Sequence, residues 1–119
     1  MKRPRTRTTI TAFCLALFCA IASASFIDGY QLKKWSDASD RVARNSKEIS
    51  DIHDEAFLIG YIAGASDVGD GLTFCSPPNA KLGQLMGVVR KYLLANPEKW
   101  NQPAGLLVLE ALKQAFPCK

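Results

Sequence analysis

Ten consecutive residues in the middle of the chain, Ala56-Phe-Leu-Ile-Gly-Tyr-Ile-Ala-Gly-Ala65, carry no charge. They continue a helical pattern that starts after Asn45-Ser46, a suitable N-cap, and runs over Lys47–Asp67. At about 100° per residue, Ile49, Ile52, Ala56, Gly60 and Ala63 share one stripe. The second half is apolar all round, as in a helix enclosed by others. Gly60 and Gly64 each cost about 1 kcal/mol of helix propensity, which the close approach of a neighbouring helix would offset. Lys47–Asp67 is therefore expected to be the central helix, with this stripe buried.

Three more helical segments fit around it. The first, Phe26–Val42, has the least regular pattern because Gly29 and scattered polar residues interrupt it; Ile27, Trp35, Ala38 and Val42 share a face. Gly69, Gly71, Pro77 and Pro78 mark Ser66–Ala80 as a loop. The third helix, Lys81–Ala95, turns Leu82, Leu85, Val89, Tyr92 and Leu93 to one side, with Arg90 and Lys91 opposite, and Asn96-Pro97 ends it. Pro103 suits the first turn of a fourth helix running to Phe116, where Pro117 stops it. Val108, Leu109, Leu112, Ala115 and Phe116 point inward there. Leu94, Leu106 and Leu107 fall at the edges or outside of the buried arcs, and Trp100 sits on an exposed loop. No alternating strand pattern of useful length occurs, so the expected fold is an all-α, single-domain bundle of about four helices.

The charge is unevenly distributed. The chain has 119 residues with 15 Lys+Arg and 11 Asp+Glu, but Lys2, Arg3, Arg5 and Arg7 carry the whole excess. From Ser25 to Lys119 the basic and acidic residues balance, and the basic footprint of a nucleic-acid binder is missing. The basic start is followed by the apolar run Ile10–Ala22 and by Ala22-Ser23-Ala24, the layout of a secretory signal peptide cleaved after Ala22 or Ala24. The run is shorter than the roughly 20 residues of a membrane-spanning helix. Residues 1–24 are thus read as a cleaved signal and 25–119 as the working domain, with no membrane segment after cleavage. Phe13 and Phe18 precede Cys14 and Cys19, which argues against lipid attachment at either cysteine. Cys75 and Cys118 remain, and an oxidising compartment favours a disulfide over free thiols or a metal site.

Candidate chemistry is sparse. Asp51, His53, Asp54 and Glu55 cluster in sequence, but on a helix Asp51 and Glu55 face away from the expected stripe while His53 lies near it. They read as a solvated carboxylate face and a boundary histidine. A single His and two cysteines suited to a bridge leave nucleophilic catalysis without support, and they make no convincing zinc site. Asp67 and Asp70 lie in a Gly-containing loop without the ligand spacing of a calcium site, and no phosphate-binding glycine motif occurs. The expectation is a binding protein without catalytic residues, metal or cofactor.

Several elements together resemble a known family. Ala56-Phe-Leu-Ile-Gly-Tyr-Ile-Ala-Gly-Ala-Ser-Asp67 is similar to the "GYIxGxxD" helix of the Rap/Tai family of type VI secretion amidase immunity proteins. Phe74-Cys75-Ser-Pro77 resembles its "FCxP" element. Gln84-Leu85-x-x-Val88-Val89-x-x-Tyr92-Leu93-x-x-Asn96-Pro97-Glu98 is similar to its "QLxxVVxxYLxxxPE" helix. Ala104, Leu107-Val108 and Ala111-Leu112 lead to Phe116-Pro117-Cys118, similar to its closing "ALxxxFPC". The matching positions Gly60, Tyr61, Gly64, Asp67, Pro77, Gln84, Tyr92, Pro97 and Pro117 are scaffold residues in this resemblance.

The resemblance implies a small exported helical protein of the periplasm, often a homodimer. Such a protein binds and blocks a peptidoglycan amidase delivered by type VI secretion. It also implies that Cys75 and Cys118 pair with each other. Many relatives carry two further cysteines, at places held here by Trp35 or a neighbour and by Leu58, so an apolar contact would replace a bridge. Lys81 stands where a Thr or Ser cap is common, so the third helix is expected to start earlier or fray. The family's partner-contacting surface varies with the partner and is not carried over. The loops Asp67–Thr73, with Asp67 and Asp70, and Glu98–Gln102, with Trp100, are the contact candidates, and Trp100→Ala is expected to weaken partner binding more than it lowers the melting temperature. The competing reading is a periplasmic binding protein of the same fold with an envelope-stress or chaperone-like role.

Overall fold

The Asp28 carboxylate accepts the Gln31 backbone N–H at 2.8 Å and so starts the first helix. In the computed structural model, which describes residues 25–119, this helix is α1, Gly29–Ala43. It is followed by α2, Ile49–Gly69, α3, Leu82–Ala95, and α4, Ala104–Ala115, with one 3₁₀ turn, Pro97–Lys99, ahead of α4. The signal segment read over residues 1–24 lies outside the described residues. The fold is the expected all-α bundle of four helices with one disulfide. No described helix is long and apolar enough to cross a membrane.

The core draws on every helix. Leu32 and Trp35 of α1 meet Leu58 and Ile62 of α2, Leu85, Val89, Tyr92 and Leu93 of α3, and Leu107, Val108 and Leu112 of α4. Phe74, from the loop after α2, is fully enclosed among them. Trp35 and Leu58 both belong to this cluster, in line with the expected apolar contact there. Lys81 does not fray α3: its N–H donates to the Gln84 side chain at 2.9 Å, so Gln84 supplies a cap that Lys81 itself lacks.

The central-helix expectation is corrected by about half a helical turn. Ile49, Ile52, Ala56 and Gly60 face solvent, Ile49 with 83% exposure, and Ala63 is only half-buried. The buried side of α2 is the opposite one, formed by Asp51, Leu58, Ile62, Ser66 and Gly69. Nor do Gly60 and Gly64 admit a neighbour, since a β-carbon at either would meet nothing within 4 Å. The physical reason lies in the segment itself. A helix apolar on all sides has no intrinsic inward face, so its partners set its rotation. Here Arg41 of α1 binds the Asp51 carboxylate in a bidentate pair at 2.7–3.1 Å, and Ser39 donates to Glu55 at 3.0 Å. These contacts turn the polar edge of α2 toward α1 and leave the isoleucine stripe outside.

The same rotation corrects the carboxylate cluster. Asp51 is buried, at 7% exposure, rather than solvated, and Asp54 pairs with Lys34 at 3.2 Å. His53 is the exposed member, its ring edge-on to Phe57 at 4.7 Å. In α4, Leu107 is fully buried and Ala115 exposed, both opposite to expectation, whereas Leu94 and Leu106 are exposed as expected. Leu107 goes inward because its side chain lies against Gly29, a contact between distant segments that helical periodicity in α4 does not register.

Candidate partner-binding site

The loop after α2 is a tightly held turn. Leu72 and Thr73 donate to the Gly69 carbonyl at 3.1 and 2.8 Å, and Gly71 donates to the Phe74 carbonyl at 2.8 Å. Gly71 takes φ 77°, a left-handed conformation that glycine adopts without strain. Gly69 is confined for another reason, since a β-carbon there would stand 2.5 Å from Leu109 and 2.9 Å from Phe74. Asp70 staples the far side: its carboxylate accepts the Ser76 backbone N–H at 2.9 Å. Hydrogen bonds from the Ser76 backbone and side chain hold that carboxyl below the usual carboxylate range.

The disulfide closes the turn from below. Cys75 and Cys118 are bonded, with Cα atoms 4.9 Å apart, and the Cys75 N–H donates to the Phe116 carbonyl at 2.8 Å. The bridge therefore fixes the end of the loop to the C-terminus beyond α4. What the turn presents outward is Asp67, Val68, Asp70 and Leu72, all exposed, with Leu72 at 82%. Apolar side chains held out by a hydrogen-bonded turn would lose little freedom on binding a partner. Asp67 and Asp70, the residues singled out in the Asp67–Thr73 loop from the sequence, are thus both exposed, and Val68 and Leu72 of the same loop are the exposed apolar groups beside them.

The second candidate loop is built differently. Trp100 is half-buried, not freely exposed, and packs on the core. Its indole N–H donates to the Leu93 carbonyl at 2.9 Å, and its ring meets Tyr30 edge-on at 5.9 Å. The Lys33 ammonium lies 5.3 Å from the ring centroid. Its backbone carbonyl accepts the Tyr30 N–H at 3.0 Å. Trp100 thus joins the start of α1 to the end of α3. Beside it, Lys99 donates to the Tyr92 hydroxyl at 2.7 Å and to Glu110 at 2.8 Å. The hydrogen bond from Lys99 keeps Glu110 below its usual range, and Glu110 and Tyr92 raise the Lys99 ammonium in return.

The remaining scaffold positions are dispersed. Tyr61 is half-buried; burial raises its hydroxyl, with the Gly105 backbone N–H opposing. Tyr92 is buried, Pro97 opens the 3₁₀ turn, and Pro77 and Pro117 are exposed on either side of the disulfide region. An open groove of about 680 Å³ runs beside Trp35, Phe57, Tyr61 and His53. Among the described residues no three His, Cys, Asp or Glu side chains gather in a metal-holding group. The two loops present exposed side chains, Val68 and Leu72 on the first and Glu98, Asn101 and Gln102 on the second.

The family model of the Rap1a immunity proteins matches residues 12–118, nearly the whole sequence, and the chain belongs to that family. Membership implies that it binds and neutralises a toxin partner. No curated protein matches the chain.

Proposed function

We propose that this Rap1a-family protein is exported to the periplasm by its segment 1–24, leaving 25–119 as the working domain, and there occludes a peptidoglycan amidase delivered by type VI secretion. The observation that carries the contact surface is the rigid turn at the end of α2, which holds Val68 and Leu72 outward between Asp67 and Asp70. Apolar anchors flanked by carboxylates suit a partner cleft with an apolar floor and a basic rim. A specific interface needs roughly 800 Å² per partner with a few dominant side chains, and Leu72 and Val68 are the anchors in this reading. Trp100 supports the neighbouring loop, and Glu98, Asn101 and Gln102 are the exposed groups it positions. The protein acts by binding alone, and we take it to be a homodimer.

Support comes from family membership, from the basic–apolar–small order of residues 1–24, and from the Cys75–Cys118 bridge, which suits an oxidising compartment. A capture experiment tests it. The protein, exported in its host and used as bait in a periplasmic extract, should retain a cell-wall amidase, and Leu72→Asp should lose it. Recovery of no cell-wall hydrolase would remove the reading. The exposed isoleucine stripe of α2 favours one alternative, a chaperone-like envelope role, in which unrelated unfolded proteins would be retained instead.

A further inference from the structure

Two carboxylates and a row of aromatic rings line the groove beside α1, and no lysine or arginine does. The rings touch one another in sequence. His53 meets Phe57 edge-on at 4.7 Å, Phe57 stacks on Trp35 at 5.4 Å, and Trp35 meets Tyr61 at 5.9 Å. Trp35 is held in the core, whereas Phe57 is half exposed and Phe26 almost wholly so. The carboxylates are Asp28 and Asp54. Asp28 uses Oδ1 to accept the Gln31 N–H, and Asp54 uses Oδ2 to meet Lys34 at 3.2 Å. An ionised carboxylate has about four acceptor sites, so each keeps capacity for a further donor. Two carboxylates against the single ammonium of Lys34 leave negative charge in excess beside exposed ring surface.

This groove is continuous with the turn proposed as the contact. Phe26, Ile27 and Tyr61 also border a second groove of about 450 Å³, whose other wall includes Leu106 and Leu109 of α4. Leu109 in turn lies against Gly69, at the base of the turn that carries Val68 and Leu72. A path of apolar side chains thus joins the turn to the aromatic groove, and the carboxylates stand at the far end of it.

We propose that the toxin partner seats an arginine side chain in this groove, its guanidinium on the exposed ring of Phe57 and hydrogen-bonded to Asp28 and Asp54. The apolar residues next to that arginine follow the path to the turn. Aromatic rings attract cations through their quadrupole, and carboxylates bind a guanidinium through strong, charge-assisted hydrogen bonds. Of the two basic side chains, arginine alone combines stacking with a planar fork of donors. The proposal rests on the toxin-binding reading above and adds to it the group that is recognised. Val68 and Leu72 supply apolar anchorage, and the groove supplies discrimination, because a neutral side chain there would leave desolvated carboxylates without a cation.

Nuclear magnetic resonance titration of the exported, disulfide-bonded protein with Nα-acetyl-arginine methylamide tests the site without the toxin. Saturable shifts are expected at Asp28, Gln31, His53, Asp54 and Phe57, and the neutral citrulline analogue should bind about tenfold more weakly. Asp28→Asn removes a charge and keeps the α1 cap, since asparagine caps as well as aspartate. Combined with Asp54→Asn, it should abolish the preference for arginine while helical circular dichroism stays that of the natural chain. The same double variant should bind the toxin about tenfold more weakly. No saturable shift, or equal binding of the two probes, would overturn the site. Unchanged toxin affinity in the double variant, with Leu72→Asp still losing the toxin, would overturn the arginine contact and leave the amidase reading standing. Recovery of no cell-wall hydrolase, with the arginine preference intact, would instead remove the amidase reading and the toxin as the occupant of the groove.

Discussion

The backbone of Trp100 lies directly against Gly29: a β-carbon on Gly29 would stand 2.6 Å from the Trp100 Cα and 2.6 Å from the Leu107 side chain. Gly29 is thus the point where the start of α1, the loop before α4 and α4 itself converge. Two backbone hydrogen bonds, Gly29 to Gln102 at 2.9 Å and Tyr30 to Trp100 at 3.0 Å, hold the convergence together. Gly29→Ala must displace backbone, not only a flexible side-chain end, and should cost about 2–3 kcal/mol. Thermal unfolding reads this as a lower melting temperature. Gly87→Ala is the control, because the new methyl meets open space inside α3, and it should stabilise by about 1 kcal/mol through helix propensity.

Trp100→Ala should now lower stability more than it lowers toxin affinity, the reverse of what an exposed loop tryptophan would do. It removes the packing on Tyr30 and the hydrogen bond to the Leu93 carbonyl. Trp100→Phe keeps much of the packing and loses the bond, so about 1 kcal/mol should separate it from the natural chain. Denaturant unfolding and partner titration on the same two variants check the order.

How much of this was legible in the sequence differs from helix to helix. In α3 the polar residues Arg90 and Lys91 contrast with Leu85, Val89, Tyr92 and Leu93, so periodicity identified the buried side correctly. In α2 the contrast is missing from Ala56 to Ala65, and the buried side was set by Arg41 and Ser39, residues on another helix. Leu107 and Trp100 were misplaced for the same reason, because their surroundings come from Gly29 and Tyr30, far away in sequence. In the turn after α2, the glycines made the loop around Asp67 and Asp70 legible as a turn. The sequence did not disclose that Leu109 and Phe74 leave no room for a side chain at Gly69.

Reduction of the Cys75–Cys118 bridge should lower stability by about 4 kcal/mol, the loop-entropy value for positions this far apart. Mass spectrometry of the untreated exported chain should show the loss of two hydrogens. Because the bridge anchors the turn proposed as the contact, the reduced protein should also bind its partner more weakly at temperatures where it remains folded.

Acid should destabilise the fold through Asp51. Its carboxyl is held below the ordinary value of 3.8 by hydrogen bonds from Arg41 and then Ser46, with burial opposing. A carboxyl depressed in the folded state stabilises above its unfolded value and loses that contribution as pH falls through the folded one. The melting temperature should therefore hold down to about pH 4 and decline below it. Asp51→Asn should be less stable at neutral pH and show a shallower decline in acid.

The proposed function is neutralisation of a cell-wall amidase by binding. Titrating the exported protein into a peptidoglycan amidase that its host delivers by type VI secretion, with release of peptidoglycan fragments as the readout, tests this most directly. Activity should fall linearly to zero near one equivalent of binding sites, and Leu72→Asp should shift the endpoint to large excess. Full amidase activity at a many-fold excess of the natural, disulfide-bonded protein would contradict the account.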